Sequence, residues 1–386
     1  MKRISAKTFI HLFLEEDENN SALFRNGNNF FLFQKKTKTY FSSEAIPKKT
    51  KGWITGVIAY DWAREQLGIP GKTDAHAPSF LFREYETVSV TSVQEFMNIL
   101  PYFIEQKKYS LGNFIADNPE EKWEEGFFKT QRNILEGEIY QMNLTRRFTA
   151  DFQGNAKFLF LDLFSKNPSS HAAFFGFPYG AIVSASPELF LCFQGENVTT
   201  EPIKGTRPRG KDSQEDEKFR KELLESEKEK AELFMITDLL RNDLRQTCFP
   251  IRVESLRELQ KNPSVWHTFS RISGKRFSEY SPIDTLLSCL PGGSISGCPK
   301  KRATELIEKT EAHARGIFCG TLGFWDAKGN GVFSLLIRTL LVHNKKVFFQ
   351  AGGGITASSI MEAEKREIED KSAPFFGLST SRNPIV

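Results

Sequence analysis

Over residues 24–60 the apolar positions alternate with polar ones or gather in short Phe-rich runs (FLFQKK, TKTYF, GWITGVIAY), and Asn, Gly and Lys clusters separate them. That is the pattern of antiparallel strands joined by polar turns. A further strand is predicted over 81–92 (LFREYETVSVTS), with helices over Val93–Lys108 and Lys122–Glu136, the second closed by Gly137 as its C-cap. Strands then dominate: IYQMNLTRRFTADF, HAAFFGF, GAIVSASPELFLCFQ and NVTTEPIKGTRPRG. One long helix is predicted over Gln214–Asn242, its charged first half reading as a solvated face. A strand over 263–275 (PSVWHTFSRISGK) and a short helix over Pro282–Ser288 follow. A glycine-rich turn then runs into a helix in LPGGSISGCPKKRATELIEKTE. The strands GIFCGTLGFWD, GVFSLLIRTLLVH and VFFQAGGGIT and a last helix over Met361–Phe376 complete the pattern. No internal repeat or low-complexity linker interrupts it. Helices scattered among mostly antiparallel strands predict a single α+β domain rather than a doubly wound parallel sheet.

Composition narrows the class. With 52 Lys+Arg against 48 Asp+Glu the net charge is only +4, too balanced to argue for nucleic acid. The 36 Phe supply enough apolar surface for a sizeable core. No apolar run is long enough for a transmembrane helix, so no membrane role is expected. The start, MKRISAKTFIHLFLEEDENN, carries Glu15, Glu16 and Asp17 where a signal peptide would carry a small-residue cleavage site. Cys192, Cys248, Cys289, Cys298 and Cys319 are odd in number and show no CxxC spacing; they read as reduced thiols of a cytoplasmic protein.

Several residue groups could carry chemistry. Glu229 and Glu232 on one predicted helix, and Glu364 and Glu367 on another, are each spaced by three and so share a side. Such pairs ordinarily decorate a surface, but Glu232 shares its stripe with Met235, Ile236 and Leu239, and Glu364 lies one turn from Ile360 and Ile368. Facing carboxylates of this kind suit the oxygen shell of Mg²⁺. The turn Pro291–Gly297 reads as an anion-binding nest before a helix with Pro299 at its N1 position, and it is not a Walker A loop. The run Gly352, Gly353, Gly354 is either a tight strand turn or a place where backbone amides approach a carboxylate. Lys204, at a strand end, is either a snorkelling surface lysine or an amine nucleophile, with Arg207 and Arg209 favouring the neutral form and Glu201 opposing it. Arg338, embedded in VFSLLIRTL, needs an anion, structural or substrate. His267 in VWHTFSR reads as a satisfied core histidine.

Taken in order, IYQMNLTRRF, SASPELFL, EPIKGTRPRG, EKEKAELFMITDLLRNDL, VWHTFSRISG, LPGGSISGCPKKRA, FSLLIRTL and AGGGITASSIMEAEKREI resemble the chorismate-utilising enzymes, most closely their para-aminobenzoate branch. The resemblance covers residues 120–376, and more loosely 50–90 (GWITGVIAYDWARE). It implies one α+β domain of two large, mainly antiparallel sheets sandwiched with outer helices, the active site between the sheets. Residues 1–115 would add strands to the common sandwich and 116–380 would form the catalytic core. It implies Mg²⁺ between the acidic helices, with Glu232 and Glu367 as direct ligands and Glu229 and Glu364 in support. Arg338, Ser294 and Gly352 to Gly354 would hold the substrate carboxylates, with Gln141 and Thr206 also binding substrate and His267 at the active site.

The same resemblance separates the branches. Relatives that add water to chorismate have a lysine base where this chain has Gln141, and anthranilate synthases read Pro-Ile-Ala-Gly-Thr where it has Lys204. The para-aminobenzoate branch is taken to use that lysine as a covalent nucleophile, later displaced by ammonia, and Glu188 in SASPE becomes the acid for the departing 4-hydroxyl. The expected activity is the amination of chorismate to 4-amino-4-deoxychorismate, on the route to folate. Anthranilate formation is the alternative within the fold. A non-catalytic chorismate-binding subunit would be expected to have lost Lys204, Glu188 or the acidic pairs, and all are present. A tyrosine of many relatives corresponds here to Phe324, which removes one expected carboxylate contact. The Leu-Leu-Glu-Ser element of anthranilate synthases is not seen near the start; LLES at Leu223–Ser226 is in the wrong place. No Gly-x-Cys-x-Gly elbow occurs, so ammonia is expected from a separate glutaminase subunit or from solution.

Overall fold

The structure is a computed structural model and describes residues 1–106, 108–261 and 265–379. In chain order the elements open with β1 (Lys2–Arg3), α1 (Ala6–Glu15), β2 (Ala22–Asn26), β3 (Asn29–Tyr40), β4 (Trp53–Ile58), α2 (Tyr60–Gln66), β5 (Phe80–Ser92) and α3 (Val93–Ile104). Then come β6 (Tyr109–Leu111), β7 (Ile115–Ala116), α4 (Glu120–Leu135), β8 (Gln141–Gly154), α5 (Ala156–Lys166), β9 (His171–Phe177), β10 (Gly180–Ser186), β11 (Leu189–Gln194), β12 (Asn197–Thr200) and β13 (Ile203–Pro208). The helices α6 (Ser213–Glu225) and α7 (Glu227–Leu244) precede the long strands β14 (Cys248–Lys261) and β15 (Val265–Arg276). Last come α8 (Pro282–Cys289), α9 (Gly293–Ser296), β16 (Gly297–Cys298), α10 (Lys300–Thr310), β17 (Thr321–Trp325), β18 (Gly331–Leu335), β19 (Thr339–His343), β20 (Lys346–Ile355) and α11 (Met361–Phe376).

One ladder of pairings runs from β8 through β20, β19, β10, β9, β2 and β3 to β5, then through β4, β17, β18, β11 and β12 to β15. β13 and β14 also pair with β15. Only β1 with β5 is parallel among the described strands. In a flat sheet β17 would lie about 14 Å from β3, three strands away. Yet the Phe324 ring on β17 lies 5.1 Å from Phe33 on β3 and 5.5 Å from Phe24 on β2. The ladder therefore folds over on itself, and the two sheets implied by the family resemblance are its two halves. A Phe-rich layer (Phe24, Phe33, Phe175, Phe324) fills the space between them, and a larger cluster binds the sheet to its helices.

Four departures from the sequence pattern have physical reasons. α5 gave no helical period because Ala156 to Phe164 are all buried, and a helix enclosed on every side has no polar face. Its Lys157 is fully buried, donating to the Phe13 and Glu16 carbonyls at the end of α1, and burial pushes its ammonium down to about 8. α1 itself was read only as a non-signal segment, although Phe9, Ile10 and Phe13 form one buried face and Ser5 caps its N-terminus. β14 was not predicted: nearly all of it is exposed or half-exposed, so its charges mask any alternation. The long helix over Gln214–Asn242 is two helices, broken at Ser226, which turns to an extended conformation and accepts the Glu229 N–H at 3.4 Å to cap α7. In addition, Pro299 is the N-cap of α10 rather than its first residue. Residues 263 and 264 of the predicted strand, position 107 of the first predicted helix and position 380 of the expected core lie outside the described residues.

Candidate active site

Lys204 sits on β13 opposite Thr268 of β15, and the ladder slips by one residue before Thr206 meets His267. The bulge is Gly205, at φ +77°, where an added Cβ would stand 2.7 Å from Glu229 Oε2. The Lys204 carbonyl accepts from Thr268 Oγ1, which fixes the backbone, and the amine donates to the Ser294 carbonyl at 3.1 Å. Ser294 then donates its hydroxyl to Glu188 Oε1 at 3.1 Å. One residue of α9 thus ties the amine to the carboxyl. Glu188 follows Pro187 between β10 and β11 and is buried; burial raises its carboxyl, against the pull of the nearby Lys204 and the Ser294 bond.

The glycines around Ser294 are explained by close packing rather than by an anion nest. A Cβ on Gly293 would stand 2.1 Å from Leu239 Cδ2 of α7, and one on Gly297 2.2 Å from the Gln141 carbonyl. Arg315, fully buried and paired with Glu311 at 2.8 Å, donates to the Ile295 carbonyl and so pins the same turn from behind. Nothing in EAHAR had marked that pair beyond its spacing of four.

Glu232 of α7 and Glu364 of α11 are joined through Lys228, Glu367 stands one turn further along α11, and Glu229, one turn before Glu232, is held by Arg207 at 2.8 Å. Glu232 Oε2 lies 4.0 Å from the Lys204 amine, and Lys228 Nζ lies 3.9 Å from Glu232 Oε1 and 3.1 Å from Glu364 Oε1. Ser359 donates to the same Glu364 oxygen at 2.7 Å. Glu367 pairs with Lys371 at 2.5 Å, and Lys371 also donates to the Gly352 carbonyl at 2.8 Å. Burial raises the Glu232 carboxyl, helped by the like charges of Glu367 and Glu364. For Glu367 burial acts in the same direction, but Lys371 outweighs it and the carboxyl ends lower than usual. Lys228, Ser359 and Lys371 were missed from sequence, although Lys228 and Lys371 each stand one helical turn from an acidic residue already singled out.

This cleft fits the Mg²⁺ that the family resemblance implies in donor type and in its unpartnered oxygens. Glu364 Oε2 and Glu229 Oε2 are buried without a hydrogen-bond partner. Gly353 leaves the space in front of the first, since a Cβ there would stand 2.7 Å from it, as Gly205 does for the second. All available donors are carboxylate oxygens, the hard ligands that Mg²⁺ prefers. Among the described residues no three acidic, His or Cys side chains already converge as a finished cage, and the Lys228 ammonium supplies the bridging positive charge.

The opposite chemistry appears at Arg338. It follows β18 at φ +48°, a left-handed conformation uncommon for a side chain of this size. Its guanidinium is half-buried and meets no carboxylate among the described residues; burial alone pushes its pKa down. His267 lies beside it, and burial together with that positive charge pushes the imidazole down to about 4, so it is neutral at physiological pH. Gln141 is buried with Oε1 unpartnered, and its Nε2 stands 2.0 Å from where a Cβ on Gly354 would be. Thr206 is exposed at the edge of the same strand as Lys204.

Two expectations are corrected. Arg207 and Arg209 do not face the Lys204 amine: Arg207 is held by Glu229 at 2.8 Å and Arg209 by Asp216 at 2.6 Å, so the charged groups closest to the amine are carboxylates. Phe324 is a core ring enclosed by Phe24, Phe31, Phe33 and Trp53, so phenylalanine there removes no contact from this site.

Comparison with known proteins agrees with this geometry. Residues 14–377 match the family model described as chorismate binding enzyme. The chain is 34% identical over 342 residues to aminodeoxychorismate synthase component 1 of Escherichia coli, covering 83% of this chain and 75% of that one. It is 32% identical over 279 residues to anthranilate synthase component 1 of Aquifex aeolicus, covering 72% and 56%. The solved anthranilate synthase component I of Streptococcus pneumoniae superposes with a TM-score of 0.73 at 25% identity, covering 94% of this chain and 93% of that one. With this fold, this ordered set of motifs and a match spanning nearly its whole length, the chain belongs to the chorismate-binding enzyme family.

Proposed function

We propose that the chain aminates chorismate to 4-amino-4-deoxychorismate, as the synthase component of aminodeoxychorismate formation, using ammonia from a separate glutaminase subunit. The observation that carries this reading is the linkage of Lys204 to Glu188 through Ser294, two contacts of 3.1 Å each. An amine nucleophile and a carboxyl whose pKa burial raises are what replacement of a hydroxyl by nitrogen calls for.

In the first step the Lys204 amine forms a C–N bond to the ring as the bond from carbon 4 to its hydroxyl breaks. Glu188 gives its proton to the departing oxygen, which leaves as water. The resulting secondary ammonium returns a proton to the Glu188 carboxylate. Ammonia then forms the new C–N bond at carbon 4 as the bond to Lys204 breaks; Glu188 gives its proton to the departing lysine nitrogen and takes one back from the new ammonium, so the free amine is restored. Arg338, whose guanidinium meets no carboxylate among the described residues, would take one substrate carboxylate, and the backbone of Gly352 to Gly354, beside Glu364 and Glu367, would meet the other. Neutral His267, Gln141 and Thr206 complete the wall around the ring. When bound, Mg²⁺ supplies the charge that lets a second carboxylate approach the acidic cleft, with Glu232 and Glu367 as direct ligands and Glu229 and Glu364 in support.

The test is to incubate the protein with chorismate, Mg²⁺ and ammonium and identify the product. Aminodeoxychorismate supports the reading, and fluorescent anthranilate formed without any added lyase contradicts it.

A further inference from the structure

A second concave site lies at the other end of the strands that carry the first. Between the β9–β10 turn, the end of β3 and the segment before β5 is a cavity of about 550 Å³, within the usual range for small-ligand pockets. Lys36, His76, Arg83 and His343 line it, and none of its lining residues is acidic. Phe41, largely exposed, and Phe177, buried, add aromatic surface.

Two nitrogens of its lining residues are left without partners among the described residues. Arg83 is 2% exposed, with one terminal nitrogen donating to the Gly176 carbonyl at 2.7 Å, yet its Nε is buried and unpartnered. His343 Nδ1 is buried and unpartnered as well. His76 stands 5.5 Å from His343, ring to ring, and its Nδ1 is held by Asp74 from outside the cavity lining. The Lys36 ammonium reaches only the neutral Asn20 side chain, at 2.6 Å. Buried donors without acceptors are costly, and cationic donors gathered where no acid lines the wall favour an anion. The aromatic and proline surface on the same walls favours a flat ring attached to that anion.

We propose that this cavity is a binding site for a small aromatic carboxylate, separate from the chorismate site. Arg83 and Lys36 receive the carboxylate, the two histidines border it, and Phe41 and Phe177 flank the ring. The cavity also has a physical route to the first site. β10 and β19 pair from Gly180 opposite His343 to Ser184 opposite Thr339, a span of about 14 Å at ordinary strand rise. His343 ends the ribbon at the cavity; Arg338 and Glu188 stand just past its other end.

The inference does not depend on which chorismate product the enzyme makes, so its test is a binding measurement. 4-Aminobenzoate and 2-aminobenzoate are titrated calorimetrically into the full chain and into variants. Saturable binding is expected, weakened about tenfold in Arg83→Gln and in the double variant Lys36→Ala/His343→Ala, but unchanged in Arg338→Ala. The double variant keeps the test valid if Arg83→Gln misfolds, because Lys36 and His343 are not fully buried. Inorganic phosphate, an anion without a ring, should not displace the probes at equal concentration. Absence of binding, loss of binding in Arg338→Ala with retention in the cavity variants, or displacement by phosphate would each overturn the proposal.

Discussion

The acidic cleft between α7 and α11 and the corner around Arg338 have opposite charges and opposite shortages. The cleft holds Glu229, Glu232, Glu364 and Glu367, and two of their oxygens are buried without partners. It lacks a cation, and Lys228 and Lys371 only partly make up for that. The corner holds a guanidinium with no carboxylate and a neutral imidazole, so it lacks an anion. Under the proposed function, a molecule carrying two carboxylates, one met through a bound cation and the other directly, would satisfy both regions at once. Lys204 and Glu188 lie between them, linked by Ser294. The difference teaches that neither region is a self-contained salt bridge: one has carboxylate oxygens to spare and the other a guanidinium to spare.

Removing the amine should have the largest effect. Lys204→Ala takes one cation from Glu232 but leaves Lys228 beside it, so the fold should survive while aminodeoxychorismate formation falls on the order of 10⁴-fold in a coupled product assay. Glu188→Gln should bind chorismate normally and lower kcat by about 10³-fold. The sign of its pH effect follows from burial. A raised carboxyl stays protonated, and therefore active, below its folded pKa, and the activity is lost as pH rises through that value. The wild-type profile should therefore have an alkaline limb that Glu188→Gln lacks, whereas His267 gains charge only as pH falls toward about 4.

Arg338→Ala should raise KM for chorismate and lower kcat/KM by about 10²-fold, the loss of a charge-assisted contact of roughly 3 kcal/mol. A variant with normal KM would break the comparison, since the corner would then hold no substrate charge. The smallest effect should come from Lys228→Met. Removing the ammonium that spans Glu232 and Glu364 leaves the carboxylates to repel one another, and stability in chelator should fall by about 1 kcal/mol. Saturating Mg²⁺ should restore most of it, which thermal melts with and without chelator would show.

Where period and burial agree, the sequence made these features readable. The acidic pairs are legible from the helical wheel and Arg338 from its apolar surroundings, although the strand expected through it breaks there into β18 and β19. α1 escaped despite its N-cap and apolar face, but two other elements had no local signature. α5 is buried all round, and β14 is an exposed strand with mixed charge. The roles expected of Arg207 and Arg209 failed because their partners, Glu229 and Asp216, sit on helices that only the tertiary fold brings near. Likewise the part played by Ser294 depends on Glu188, 106 residues away in the chain.

The central claim is that Lys204 joins the substrate covalently. Wild-type protein mixed rapidly with chorismate and Mg²⁺, without ammonium, should show by intact-protein mass spectrometry a transient adduct equal to chorismate less one water, and peptide mapping should place it on Lys204. The adduct should vanish on adding ammonium and be absent from Lys204→Ala. A Lys204→Ala enzyme that makes aminodeoxychorismate at the wild-type rate, with no adduct in either protein, would contradict the account.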